Sequence, residues 1–157
     1  MKTETKIVHP EALLSEYSRL LKEDPSIDTL PLLISGNSMT PFLIHGRDTV
    51  YLSRLRRPVR RGDMLLYRRG NGAYVLHRVY EVTPEGFTMV GDAQTALEPG
   101  VRQEQVAAIV TRVIRKGKPL APGSFWWDFF EKVWIRIVPL RGHVHRLYTR
   151  TKPQRRE

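Results

Sequence analysis

Met64-Leu65-Leu66-Tyr67-Arg68-Arg69-Gly70-Asn71-Gly72-Ala73-Tyr74-Val75-Leu76-His77-Arg78-Val79-Tyr80-Glu81-Val82 reads as two strands joined by a turn. Gly70-Asn71-Gly72 supplies residues that accept left-handed backbone, the strongest short-range signal for a hairpin. Aromatic and branched side chains flank that turn on both sides, as a pleated, half-buried surface requires. The stretch predicts strands over Met64 to Arg68 and Ala73 to Val82. Outward from it, Val50 to Leu55, Phe87 to Val90 and Val106 to Arg115 read the same way. Arg57-Pro58, Pro84-Glu85-Gly86 and Glu98-Pro99-Gly100 between them are turn chemistry. Short strands at close spacing, with no helices between, predict a mainly β fold, a compact sandwich or barrel. There is no internal repeat and no low-complexity segment.

The two ends carry a different period. Pro10 suits a first helical turn, and Leu13, Leu14, Tyr17, Leu20 and Leu21 fall on one face at helical spacing. Asp24-Pro25 stops the pattern, so a helix is expected over residues 10–23. Residues 125–138 set Phe125, Trp126, Trp127, Phe129, Phe130, Val133, Trp134, Ile135, Ile137 and Val138 around a polar stripe of Asp128, Glu131, Lys132 and Arg136. That pattern predicts a C-terminal amphipathic helix, closed by Pro139. A basic tail with Arg141, Arg146, Arg150, Lys152, Arg155 and Arg156 follows. The expected organisation is an N-terminal helix in 1–28, a β domain in 29–118, and the aromatic helix and tail in 119–157.

Composition narrows the chemistry. At 157 residues, 41% of them hydrophobic, the chain is one domain with trimmings and fills an ordinary core. The absence of cysteine removes disulfides, thiol catalysis and thiolate metal sites. The five histidines show no metal-ligand spacing, and His143 and His145 read as solvated in the basic tail, so neither metal nor organic cofactor is expected. A net charge of +10 favours an anionic partner, either nucleic acid or lipid. The run Arg54, Arg56, Arg57, Arg60, Arg61 lacks interleaved aromatics, so it reads as a solvated strand edge and nucleic acid is not expected. Met1 to Pro10 are polar and charged, so no signal peptide is expected. No stretch reaches the roughly 18 to 20 apolar residues of a spanning helix. A cytoplasmic or peripherally membrane-associated protein is expected. Residues 125–157 suit an anionic membrane surface, and equally suit a helix that covers the β domain as core.

Against this framework stands Gly36-Asn37-Ser38-Met39-Thr40-Pro41, a serine in a tight turn after the apolar run Leu30 to Ile34. A serine hydroxyl is a weak nucleophile without a base. His77 is the candidate base, on the face of its strand shared with Val75 and Val79. His45 is the rival, seven residues after Ser38 on the same local segment.

Four pieces occur in one order: Ser38 to Pro41, Arg61-Gly62-Asp63-Met64, the strand bearing His77, and Gly91-Asp92. Together, from about Leu32 to Lys116, they resemble the signal peptidase I family of serine peptidases, which also includes the self-cleaving SOS repressors. Most bacterial members use a lysine base, and this chain has none between Lys22 and Lys116. His77 stands at that position, which looks like the Ser-His branch of the endoplasmic-reticulum and archaeal signal peptidases. Histidine titrates near neutrality without burial, whereas lysine must be desolvated to lose its proton. With no spanning helix expected, the sequence departs from the family, whose members normally carry at least one transmembrane anchor.

The resemblance implies a signal-peptidase-like β sandwich or barrel and a serine endopeptidase that cleaves a leader or signal-type peptide between small side chains. Its candidate catalytic set is Ser38, His77, Asp92 and Glu98. The family donates an oxyanion hydrogen bond from the nucleophile's own N–H and from a group two residues earlier, which points to Gly36, Asn37 and Ser38. Asp92 matches the Gly-Asp box and reads as turn-holding. Glu98 stands where the Ser-His branch has a second aspartate and is the candidate triad acid, though either carboxylate can be the third member. Asp48 and Asp63 read as turn residues. The alternative function is a non-catalytic, peptide-binding member of the fold that recognises leader peptides. A DNA-linked repressor relative would need a DNA-binding domain and a lysine base, and the sequence shows neither.

Overall fold

The computed structural model describes residues 10–143 and Arg146. Residues 1–9, His145 and the tail cations Arg150, Lys152, Arg155 and Arg156 lie outside the described residues. The chain begins with α1 (Pro10–Glu23) and continues through eight strands. These are β1 (Thr29–Leu33), β2 (Thr49–Ser53), β3 (Met64–Arg68), β4 (Tyr74–Thr83), β5 (Gly86–Val90), β6 (Glu98–Val101), β7 (Val106–Arg115) and β8 (Lys118–Leu120). All pairings are antiparallel, in the order β1-β2-β7-β3-β4-β5-β6, with β8 on β7. The fold is mainly antiparallel β, as expected, and among the described residues the sheet is not closed but runs from β1 to β6.

The hairpin forms where its turn residues are. Arg68 pairs with Tyr74, the Arg69 amide donates to the Ala73 carbonyl at 2.8 Å, and Asn71 Oδ1 accepts from the Ala73 amide at 3.0 Å. β3 is central and buried from Met64 through Tyr67. One face of the sheet holds a core of Ile34, Met39, Phe42, Val50, Leu52, Leu66 and Val110, which Leu21 of α1 and Trp127 and Phe130 of the C-terminal segment complete. The other face buries Val59, Leu65, Tyr67, Val79, Phe87, Met89 and Ile109.

Three expectations change. Glu98-Pro99-Gly100 is not a turn but the start of β6, the end strand of the sheet. Proline is tolerated there because an end strand leaves N–H positions without a partner. The arginine run is not simply solvated. Arg54 caps α1, donating to the Leu21 carbonyl at 2.7 Å and the Asp24 carbonyl at 2.9 Å. Arg57 forks onto Asp63, and Arg56 pairs with Asp28. Finally, the aromatic segment is not one continuous helix. It is α2 (Phe125–Asp128), a π turn (Phe129–Val133) and a 3₁₀ segment (Trp134–Leu140) with a kink at Ile137. Aromatic and β-branched side chains are mediocre helix formers, and Pro139 lacks the amide that would continue the ladder.

No helix among the described residues is long and apolar enough to cross a membrane. The aromatic segment is divided by face. Trp127, Phe130, Ile135 and Val138 are buried, whereas Phe125, Trp126, Val133 and Leu140 are exposed.

Candidate active site

Ser38 sits in the connection from β1 to β2. Two local bonds shape it: the Thr40 amide donates to the Asn37 carbonyl at 3.2 Å, and the Leu43 amide to the Met39 carbonyl at 2.9 Å. Met39, Phe42 and Leu43 are buried and anchor the turn, while Gly36 takes φ +86°, the backbone that glycine adopts without strain. Buried Asp48 closes the loop behind, accepting from the Ile44 and Lys116 amides and from Arg47. Ser38 lines a cavity of about 150 Å³ together with Ser35, Gly36 and residues Tyr74 to Leu76 of β4.

The Gly91-Asp92 turn supports Ser38 from behind. The Ala93 amide donates to the Ser38 carbonyl at 2.9 Å. A Cβ on Gly91 would stand 2.5 Å from that same carbonyl oxygen, so only glycine lets the two backbones meet. Asp92 is fully buried and accepts two bonds from Arg78 Nε and Nη2, at 2.8 and 2.9 Å. Arg78 Nη1 donates to the Gly62 carbonyl at 2.8 Å, and the Gly62 amide donates to the Val79 carbonyl at 2.8 Å. Asp63 accepts from the Arg60 amide and from Arg57. The Arg61-Gly62-Asp63 and Gly91-Asp92 boxes, far apart in the chain, thus meet at one buried arginine.

His77 lies on the opposite face of β4 from Arg78 and is buried. Its Nδ1 is 3.3 Å from the Tyr67 hydroxyl, and that hydroxyl donates to Glu98 Oε2 at 2.5 Å. With its proton committed to Glu98, the Tyr67 oxygen is left to accept from His77 Nδ1–H. That fixes the tautomer: the proton is on Nδ1 and the lone pair on Nε2. Arg69 holds Glu98 from the other side through two bonds of 2.9 and 3.0 Å. Glu98 therefore reaches His77 through Tyr67 rather than directly, as a triad acid would. Asp92, spent on Arg78, does not bond His77 at all.

The electrostatics follow this arrangement. Burial, then the charge of Arg69, pushes the His77 pKa down to about 4, against the pull of Glu98 and Asp92. Burial acts to raise the Glu98 pKa, but its hydrogen bonds from Arg69 and Tyr67 outweigh burial and hold it below the ordinary value. Burial and then the bond to Glu98 raise that of Tyr67. The row is accordingly a neutral imidazole, a neutral phenol and an ionised carboxylate at neutral pH.

The structure brings the turn of Ser38 alongside β4, next to the strand that carries His77, but joins the two side chains by no hydrogen bond. Among the described residues, neither the Ser38 hydroxyl nor His77 Nε2 has a hydrogen-bond partner. The amide of Gly36, one of the expected oxyanion donors, donates to His45 Nδ1 at 2.9 Å. The same bond gives exposed His45 a turn-holding place rather than that of a base. The amides of Asn37 and Ser38 carry no partner among the described residues. Tyr67 went unnoticed in the sequence. Its signal was there in outline: Tyr67 and His77 are both core-facing positions of one hairpin, separated by a short turn. No group of residues with metal-ligating side chains gathers among the described residues.

No family model, curated protein or solved structure matches this chain.

Proposed function

We propose that this chain is a serine endopeptidase of the signal peptidase I kind, with a signal-peptidase-like β fold, Ser38 as nucleophile and His77 as base. The observation that carries the reading is the Glu98–Tyr67–His77 row, which leaves Nε2 unoccupied on the strand whose Tyr74 to Leu76 line the same cavity as Ser38. Ser38 Oγ attacks the scissile carbonyl as its proton passes to Nε2. Tyr67 and Glu98 are positioning residues that hold the imidazole and oppose its transient positive charge. The free Ser38 amide is the oxyanion donor. The imidazolium then protonates the leaving amine, and water hydrolyses the acyl-enzyme with His77 again as base. A missing Ser38–His77 hydrogen bond is ordinary before substrate binds, since catalytic hydrogen bonds often tighten only in the complex.

The missing Ser38–His77 bond favours one rival, a peptide binder without chemistry. A single experiment separates the two. The purified protein is incubated with a peptide library rich in small residues, and new termini are read by mass spectrometry. The expected result is cleavage by the wild type and none by Ser38→Ala or His77→Ala. Cleavage that survives in Ser38→Ala, or capture of peptides without any cleavage, overturns the peptidase.

The exposed Phe125, Trp126, Val133 and Leu140, flanked by exposed Lys132 and Arg136, support peripheral attachment to an anionic lipid surface. Sedimentation with anionic vesicles that weakens with salt, and is lost in Phe125→Ser/Trp126→Ser, tests this. Equal sedimentation of that variant overturns it.

A further inference from the structure

The C-terminal segment does more than cover the sheet. It ends in two side chains aimed at the loop that supports the serine. Trp134 Nε1 donates to the Asp92 carbonyl at 2.8 Å. Arg141 Nη1 donates to the carbonyls of Gly91 and Gln94, both at 3.0 Å, and its Nη2 to the Trp134 carbonyl at 2.9 Å. The Arg141 guanidinium lies 5.0 Å from the Trp134 ring centre, so the two residues also hold each other. Arg141 is only 4% exposed, and its Nε is buried with no partner among the described residues.

Burying an arginine in this way is costly, and a helix packed for core alone has no need of it. Its placement has a specific consequence. Gly91 to Gln94 is a four-residue loop closed by the Gln94 amide on the Gly91 carbonyl at 2.9 Å and by Gln94 Oε1 on the Gly91 amide at 3.1 Å. Trp134 and Arg141 occupy the loop's outward carbonyls. Its one inward amide, Ala93, goes to Ser38. A displacement of the outer side is therefore passed to the Ser38 carbonyl through a single peptide step, with the close Gly91–Ser38 contact leaving no slack.

We propose that Trp134 and Arg141 are positioning residues for the nucleophile, bracing the Gly91–Gln94 loop so that its Ala93 amide fixes the backbone of Ser38. The proposal rests on the peptidase reading for its catalytic consequence, but the brace itself stands on the hydrogen bonds. It places the control of Ser38 on the same C-terminal segment that exposes Phe125 and Trp126.

The test uses the full chain with Trp134→Phe, which keeps a ring and loses the donor, and Arg141→Met, which keeps length and loses all donors. Amide hydrogen exchange is followed over residues 36–44 and 91–95, with β3 and β7 as internal references. Exchange in both windows is expected to rise about tenfold in Trp134→Phe, the effect of one lost hydrogen bond, and more in Arg141→Met, which loses three, while β3 and β7 stay protected. Turnover of a peptide that the wild type cleaves is expected to fall about tenfold in kcat with KM and pH dependence unchanged, as for a small displacement of an attacking group. Unchanged exchange in both windows overturns the brace. Faster exchange with full turnover overturns the positioning role. A wild type that cleaves nothing refutes the peptidase alone, and the exchange windows still decide the brace. If Arg141→Met fails to fold, Trp134→Phe carries both readings.

Discussion

His77 and Arg78 are neighbours on one strand, and their surroundings could hardly differ more. Arg78 is 1% exposed, and its guanidinium satisfies both oxygens of Asp92 and the Gly62 carbonyl while lying 5.4 Å from the Phe42 ring centre. Every donor direction that matters is filled, and four distant segments are tied together as a result. His77, one residue earlier and on the other face, has one nitrogen bonded and one left open. A saturated polar group stabilises but has no bond left to make. An unsaturated one, held in a fixed tautomer, can form a new bond in a complex. Under the proposed peptidase reading, one face of β4 holds the fold together and the other carries the base.

The largest effect is expected where the saturated side is broken. Asp92→Asn removes the counter-charge of Arg78 in a buried site and should cost about 3 to 5 kcal/mol. For a chain of this size that corresponds to a fall in thermal midpoint of roughly 10 °C. Turnover per folded molecule should change much less. Urea unfolding measures the first and active-site-normalised kinetics the second. A stability loss below about 1 kcal/mol, the range of an exposed pair, would show that the pair is not the anchor described here.

A smaller effect on free energy, but a sharper one on chemistry, is expected on the open side. Tyr67→Phe keeps the buried ring and deletes the hydroxyl between His77 and Glu98. The imidazole loses the partner that fixes its tautomer, and turnover should fall between about tenfold and a hundredfold. Glu98→Gln preserves an acceptor for the Tyr67 hydroxyl but removes the negative charge, so its loss should be less than that of Tyr67→Phe. Both should unfold within about 1.5 kcal/mol of the wild type, the scale of one hydrogen bond. If Asp92→Asn lowers turnover per folded molecule more than Tyr67→Phe does, the assignment of the two faces is reversed.

The two faces were not equally readable in the sequence. Strand periodicity and Gly70-Asn71-Gly72 fix β3, β4 and β7 closely, because local pattern and turn chemistry agree there. The N-terminal helix is found at residues 10–23 for the same reason. β6 was hidden because Pro99 and Gly100 speak locally for a turn, and only pairing with β5 makes them a strand. The aromatic segment was misread as one helix because periodicity does not register a kink. Of the site, Ser38, His77, Asp92 and Glu98 are visible as motif residues, yet the partners of each are tertiary facts. Nothing in the spacing of Arg78 and Asp92 says that they pair. Nothing in Glu98 says that its nearest route to His77 passes through Tyr67 at 2.5 Å.

The smallest effect, a near absence of change, is the most exacting test of the open face. A histidine near its ordinary pKa would make activity rise between roughly pH 6 and 7.5, as the sequence alone suggests. Burial and Arg69 instead hold the His77 pKa at about 4. The base is then already neutral at pH 6, and kcat/KM should change less than about twofold between pH 6 and 8. The sign can be checked from the charges around the ring. Arg69 opposes protonation, whereas Glu98 and Asp92 favour it, and the Tyr67 phenol is neutral. Arg69→Met removes the opposing charge but leaves the burial, so the inflection should move up from about 4 while staying below the ordinary histidine value. Stability should follow the same group. Because the folded pKa is depressed, the unfolded chain takes up the proton first, and stability present above about pH 6.5 should decline as pH falls toward 4. His77→Gln should remove its part of that decline. A wild-type inflection near 6.5 that Arg69→Met leaves in place would mean that the imidazole is solvated in the working protein, and the division between the two faces of β4 would fail with it.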